Sequence, residues 1–132
     1  MLATWTRGIP CAPHDHGGAV SAIRVLQGRS HHRLYHIEDQ QLKEQSSEKK
    51  SAGELITCEP HQIHSMADDG DSLPLLTLHA YSTSIASMVV YDDHGTILLK
   101  GSAGAWLPPN TPNDVLARYS QYHYRKELPL FS

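Results

Sequence analysis

Short runs of apolar residues alternate with polar ones along most of the chain, and turn-forming residues separate these runs. Runs of about four to eight residues with a period of two are typical of β-strands that are buried on one face. The pattern predicts strands at seven places: 20–27, 33–37, 53–58, 63–66, 75–81, 88–92 and 96–100. Many short strands at nearly regular spacing indicate an antiparallel barrel or sandwich.

One long stretch lacks this alternation. Residues 38–50 are polar and charged and have no apolar period, so we expect an exposed loop there. The two segments before it, 20–27 and 33–37, are close in sequence, and we expect them to pair as a hairpin.

The length of 132 residues fits one domain with a single core. We therefore expect one domain over residues 1–132, with its core over about 5–108. The remaining tail, 109–132, is rich in turn-forming residues, and within it only 114–122 has a pattern that suits a short helix.

Composition excludes several classes of partner. The net charge is −3 and there is no basic stripe, which argues against a nucleic-acid surface. No apolar run approaches the roughly 20 residues of a membrane-spanning helix, and the N-terminus lacks a signal-peptide pattern. Cys11 and Cys58 are too few for a disulfide framework and favour reduced thiols in the cytoplasm.

Histidine is the unusual residue in this sequence, with ten in 132 positions. His14 and His16 stand two apart, and side chains two apart on an extended segment point the same way. A third histidine, His64, lies in its own proline-led turn. Converging neutral imidazoles bind transition metals, zinc included. A histidine pair beside Gly17 and Gly18 is also compatible with a solvated turn.

A second polar set follows one predicted strand. Thr77, His79 and Tyr81 alternate along it and therefore share a face. They either line the barrel and satisfy one another or take part in a site. The other histidines have no motif partner, and we expect each to be exposed or hydrogen-bonded rather than a ligand: His31, His32, His36, His61, His94 and His123.

Gly8, the pair His14 and His16, and then Gly28 resemble the first motif of the cupins, which are small barrels of the double-stranded β-helix type. The carboxylate ligand usual in that motif falls on Ser21 here. A set of three histidines without a carboxylate is similar to the cysteine dioxygenase type I family, which has bacterial relatives that oxidise other small thiols.

The resemblance extends from residue 5 to about residue 108. The segments that carry it are Trp5, His14-Asp15-His16, Arg24-Val25-Leu26-Gln27-Gly28, Gly53 to Pro60, Ile63-His64, Leu78-His79 with Tyr81, and Val90-Tyr91-Asp92.

This resemblance implies an all-β cupin-type barrel in which His14, His16 and His64 hold Fe(II). It implies that a small thiol, such as cysteine or 3-mercaptopropionate, is oxidised by O2 to its sulfinate. Tyr81 and His79 would form the catalytic outer-sphere set with Thr77, which takes the place of the family's serine and keeps its hydroxyl.

The sequence also departs from the family. The cysteine that is crosslinked to the tyrosine in the animal enzymes falls on Ser21, so we expect no thioether. Only thirteen residues precede His14, and the family's N-terminal segment, with the arginine that binds the substrate carboxylate, has no counterpart. We therefore expect a barrel that is incomplete at its N-terminal edge, where a second copy of the chain could cover it.

Two other functions remain open at this point. One is a non-catalytic cupin that binds a metal or a small ligand, and the other is a degenerate relative that needs no metal.

Overall fold

The computed structural model describes residues 1–91 in full and only the backbone of residue 92 and of two further strands, 95–100 and 124–128. These residues form ten β-strands: β1 (Leu2–Thr4), β2 (Ser21–Gln27), β3 (Arg29–Glu38), β4 (Gln41–Ser51), β5 (Leu55–Cys58), β6 (Ile63–Asp68), β7 (Leu76–Tyr81), β8 (Ser87–Asp92), β9 (Gly95–Lys100) and β10 (Tyr124–Leu128). Within this part of the chain no helix of membrane-spanning length and apolarity is found. The short helix expected at 114–122 lies outside the described residues, as does most of the tail.

All paired strands are antiparallel, which confirms the predicted all-β class. One sheet has the order β1-β7-β2-β5, a second β4-β3-β6 and a third β10-β9-β8. The last two are joined by a single residue, because His14 forms antiparallel bridges with His64 of β6 and with Val90 of β8. The short segment 13–15, centred on His14, therefore closes the gap between two sheet edges.

The hydrophobic core lies between the four-stranded sheet and the sheet that contains β3 and β6. Alternate residues of β2 point inward, and Ile23 is directly opposite Ile56 of β5. Burying each such side chain stabilises the fold by roughly 1.5–3 kcal/mol. The core cluster consists of Cys11, Ile23, Val25, Ile56, Cys58, Met66 and Leu75. Both cysteines in it are free thiols.

The predicted hairpin between the first two strands is wrong. β3 pairs with β4 and β6, whereas β2 pairs with β5 and β7. The chain crosses from one sheet to the other at Gly28, between β2 and β3. The short separation along the chain suggested a hairpin, but a single left-handed residue redirects the backbone.

The loop predicted at 38–50 is also wrong, because β4 occupies most of it. Asp39 and Gln40 have φ of 48° and 60° and form the tight turn of a β3–β4 hairpin. Most side chains of β4 are exposed, so no apolar alternation marks this edge strand. The turn also lacks the Asn-Gly or Asp-Gly sequence that usually signals such a hairpin.

Gly28 is required by its surroundings. Its φ is +77°, and a Cβ built there would lie 2.8 Å from the carbonyl oxygen of Leu73 and 2.9 Å from that of Pro74. Backbone atoms at these distances cannot move aside cheaply.

We expect Gly28→Ala to destabilise the protein more than Gly8→Ala, which serves as the control. Gly8 has nearly the same φ, +78°, but a Cβ added to it would have no atom within 4 Å. Each substitution should lower the free energy of unfolding by about 1–2 kcal/mol through the left-handed backbone. Gly28→Ala should lower it by a further ~1–3 kcal/mol through the clash. Chemical denaturation measures both, and equal losses would contradict the close approach.

Candidate metal centre

The three histidines of the sequence prediction are brought together by the backbone bridge at residue 14. The His14 amide donates to the His64 carbonyl and the His64 amide to the His14 carbonyl, each at 2.9 Å. On the other side, the Asp15 amide donates to Val89 and the Tyr91 amide to Pro13. His14 and His64 are thus cross-strand neighbours, which places their side chains together.

Asp15 fixes the turn that carries His16. Its Oδ1 accepts from the Gly17 amide at 2.9 Å and from the Val89 amide at 3.2 Å, and its Oδ2 accepts from the Tyr91 hydroxyl at 3.1 Å. The carboxylate is buried and fully engaged in these bonds. These bonds fix the turn at residues 15–17, and the turn holds His16 on the same side as His14.

The three imidazoles meet through their Nε2 atoms. His16 Nε2 lies 3.2 Å from His14 Nε2 and 3.3 Å from His64 Nε2. Nitrogens that share one ion at 2.0–2.1 Å, with ligand angles between 90° and tetrahedral, are roughly 2.9–3.4 Å apart. The spacing therefore suits a single metal ion, and these three residues could hold one.

Burial keeps these imidazoles neutral. All three are 5% exposed or less. Burial lowers the pKa of His14 and of His16 from 6.5 to about 4. Burial, together with the neighbouring imidazoles, lowers the pKa of His64 well below 6.5. Neutral imidazole is the form that binds metals, so protons do not compete for the site near neutral pH.

The outward nitrogens of two of these rings have partners in the protein. His14 Nδ1 lies 2.7 Å from the Ala12 carbonyl oxygen, to which it donates, so its Nε2 carries the lone pair. His64 Nδ1 lies 2.8 Å from His32 Nε2 and 3.4 Å from Cys58 Sγ. Such outer contacts fix ring orientation and tautomer in metal sites.

Thr77, His79 and Tyr81 of β7 form a hydrogen-bonded chain beside this centre. The Trp5 indole N–H donates to Thr77 Oγ1 at 2.9 Å, and Thr77 Oγ1 lies 2.8 Å from His79 Nε2. His79 Nδ1 lies 3.4 Å from the Tyr81 hydroxyl. Because the indole can only donate, the Thr77 hydroxyl is available to donate to His79, whose own proton then faces Tyr81.

Tyr81 connects this chain to the three histidines. Its ring meets the His16 ring edge to face, with centroids 5.2 Å apart. Burial raises the pKa of Tyr81 to about 12 and lowers the pKa of His79 to about 4. Both side chains are therefore neutral near pH 7, and the phenol keeps a proton that it can donate.

The space between these groups is small, and it is partly open at Trp5 and Tyr81, which are only half-buried. It measures about 10 Å³, the size of one water-sized sphere. Its lining is Trp5, Cys11, His14, His16, His64, Met66, His79 and Tyr81. No side chain in this described lining is cationic. Arg7, the nearest arginine in sequence to the histidine pair, donates instead to the Asp71 carbonyl at the surface.

The sequence did not identify two contributors to the site. Trp5 entered only as part of the family resemblance, and its bond to Thr77 depends on a sheet pairing 72 residues apart. His32 was expected to be exposed or hydrogen-bonded rather than a ligand, and it is a hydrogen-bonded residue with 2% exposure. Its inward position follows from alternation along β3, whose start was predicted four residues too late.

The fold has solved counterparts. An uncharacterised conserved protein with a double-stranded β-helix domain from Klebsiella pneumoniae aligns over 67% of this chain and 70% of its own, with 18% identity and a TM-score of 0.51. Vicilin from Capsicum annuum aligns over 61% of this chain and 21% of its own, with 12% identity and a TM-score of 0.49. The first of these confirms the predicted double-stranded β-helix fold.

At the level of sequence, the chain resembles a protein family rather than any single curated protein. No curated protein gives a significant match. The profile of the family "cysteine dioxygenase type I" matches residues 1–94, which include all three converging histidines and the polar strand β7. On this match over most of its length, the chain belongs to the cysteine dioxygenase type I family.

Proposed function

We propose that this protein is an Fe(II)-dependent thiol dioxygenase that converts a small thiol and O2 into the corresponding sulfinate. The observation that carries the proposal is the convergence of three buried, neutral imidazoles beside a strand whose tyrosine is poised to donate a proton. Both oxygen atoms of O2 end on the thiol sulfur, so no other reductant is required.

His14, His16 and His64 would hold the iron. Three neutral ligands would leave the ion its full positive charge, and since no acidic side chain of the described residues joins this group, positions would stay open for substrate. When bound, the iron supplies the redox chemistry that joins O2 to the sulfur of a thiol, whose proton is lost on coordination.

Tyr81 would orient substrate or oxygen by donating its phenolic hydrogen. His79 supports this by directing its own N–H at the phenolic oxygen, which leaves the hydrogen of Tyr81 for the site. Thr77 and Trp5 hold the His79 ring in place from the far side. The four residues together fix the direction in which the phenol donates.

Buried side chains on one wall of the site would limit the access of water. Cys11 and Met66 line the same small space, and both are at most 4% exposed. A dry site strengthens the polar interactions within it and protects a reactive thiol from side reactions. The buried free thiols also suit a reducing compartment, and we place the enzyme in the cytoplasm.

Cysteine and 3-mercaptopropionate are the substrates we propose. One observation favours a second candidate, a non-catalytic cupin that binds metal or a small ligand: the described lining has no cation for a substrate carboxylate. The test that separates the two is anaerobic loading with Fe(II), addition of O2 and either thiol, and detection of the sulfinate by mass spectrometry. Stoichiometric iron uptake without product from any small thiol favours the binding protein.

His64→Ala should abolish iron binding. Removing one of three ligands should weaken affinity by more than the 10–100-fold that is typical of outer-shell changes. The measurement is iron content after anaerobic loading and desalting. His31→Ala is the matched control, since His31 lies on β3 but faces Asp69 at 4.0 Å, away from the centre. Undiminished iron in His64→Ala would show that His64 is no ligand.

Metal affinity should change little between pH 8 and pH 6. Three histidines with the ordinary pKa of 6.5 would lose about 70-fold in affinity by pH 6 through proton competition. Here burial lowers the pKa of His14 and of His16 to about 4, so protons should compete only as the pH falls towards that value. Titration with Co(II) or Zn(II) across this range measures the effect, and a steep loss at pH 6 would mean exposed imidazoles.

Tyr81→Phe should lower turnover by about 100-fold while leaving iron affinity nearly unchanged, because the hydroxyl acts in proton donation rather than ligation. Steady-state oxygen consumption and iron titration give the two quantities. Tyr35→Phe is the control, since the Tyr35 hydroxyl bonds Ser65 Oγ at 2.9 Å on the outer side of the sheet. Equal losses of turnover and of iron in Tyr81→Phe would assign the tyrosine a structural role.

A further inference from the structure

Another buried histidine, His32, lies behind His64 on the side away from the metal centre. His32 projects inward from β3, the strand next to β6, and its Nε2 is 2.8 Å from His64 Nδ1. The two side chains are 2% and 3% exposed. The function proposed above makes no use of His32.

The other ring nitrogen of His32 faces a carboxylate. His32 Nδ1 is buried and has no hydrogen-bond partner within the usual distance. Glu48 Oε1 lies 3.8 Å from it, and Glu48 is directly opposite His32 in the β3–β4 register. The second oxygen of Glu48 lies 3.5 Å from Lys50 Nζ, which holds the carboxylate in place.

These contacts determine which nitrogen of each ring carries a proton. A neutral imidazole has one N–H and one lone pair. The negative charge of Glu48 favours the proton of His32 on Nδ1, so that His32 Nε2 accepts the Nδ1–H of His64. His64 then presents the lone pair of its Nε2 to the centre. The reverse arrangement would place a proton on His64 Nε2, where a metal ion needs the lone pair.

We propose that Glu48 and His32 form a relay that holds His64 in its metal-binding tautomer and orientation. The inference rests on the proposed function to the extent that His64 is a ligand. His32 is thus a positioning residue, and Glu48 anchors it from the surface, where its side chain is 49% exposed. Ligand histidines in metal sites commonly depend on such partners.

The same atoms raise the question of a second metal ion, held by His32, Cys58 and His64. Cys58 Sγ lies 3.4 Å from His64 Nδ1 and 3.6 Å from His32 Nε2, distances that a shared ion would allow. The two nitrogens are 2.8 Å apart, which is shorter than the roughly 3.3 Å across a tetrahedral ion and typical of a hydrogen bond. The geometry therefore favours the hydrogen-bonded pair.

The test is a titration of the purified full chain with Co(II), which reports affinity, stoichiometry and ligand field in one absorption experiment. His32→Leu removes the acceptor, and His32→Gln restores an acceptor near the position of Nε2. Glu48→Gln removes the charge of the anchor. Glu44→Gln is its matched control on the same strand, because Glu44 is 48% exposed and pairs instead with Arg33 at 3.4 Å.

We expect one ion per wild-type chain. His32→Leu should weaken Co(II) affinity by about 10–100-fold and shift the visible spectrum, and His32→Gln should recover most of the affinity. Glu48→Gln should weaken it by a smaller factor, about 3–10-fold, whereas Glu44→Gln should match the wild type. Unfolding of the metal-free variants, measured in parallel, separates these effects from a general loss of stability.

Several results would overturn the relay. If the wild type binds one ion and His32→Leu binds it equally well with an unchanged spectrum, the relay is wrong while the proposed function stands. Two ions per wild-type chain, one of them lost in His32→Leu, would make His32 a ligand. If His32→Leu does not fold, identical affinities of Glu48→Gln and Glu44→Gln overturn the proposal. A wild type that binds no metal refutes the proposed function itself.

Discussion

The antiparallel bridge between His14 and its two neighbours is the contact on which the rest of the structure depends. Four backbone hydrogen bonds of 2.8–3.0 Å hold residues 13–15 between β6 and β8. The same bonds join two three-stranded sheets and set two candidate ligands side by side. Fold closure and site geometry therefore have one cause, and neither can be altered without the other.

Hydrogen bonds around the centre decide which ring nitrogens face into it. The outer nitrogens of His14 and His64 are occupied by a carbonyl oxygen and by His32, so the inner nitrogens are left to face one another. On the opposite wall, Trp5 begins a chain of bonds that ends at the Tyr81 hydroxyl. Because these networks are buried, each group depends on its partner, and a missing partner would leave an unsatisfied polar atom.

Sequence patterns predicted those parts of the fold that one strand can reveal by itself. β2 and β7 alternate apolar and polar residues and were predicted within a residue or two of their bounds. β4 has no buried face to mark it, and the crossing at Gly28 depends on two carbonyl groups more than 40 residues away. Such features arise from pairing across sheets, which no local pattern records.

The same distinction applies to the site. His14 and His16 are adjacent, and their shared direction follows from the geometry of an extended chain. The approach of His64 was suggested by family resemblance and by its turn, and the backbone bridge accounts for it. The contact of His32 with His64 and that of Trp5 with Thr77 could not be predicted. They join residues 32 and 72 positions apart, respectively, and no sequence motif links the two members of either pair.

The facing nitrogens of His14, His16 and His64 have a consequence for the folding of the protein. Hydrogen-bond donors cannot satisfy three nitrogen lone pairs that point at one spot, whereas one cation can bind all three nitrogens at once. An unfolded chain does not hold the three rings together, so an ion would bind the native state selectively. By mass action, free metal at a hundred times its dissociation constant would add about 2.7 kcal/mol to the free energy of unfolding. The amount of folded protein would then report how much metal its surroundings supply.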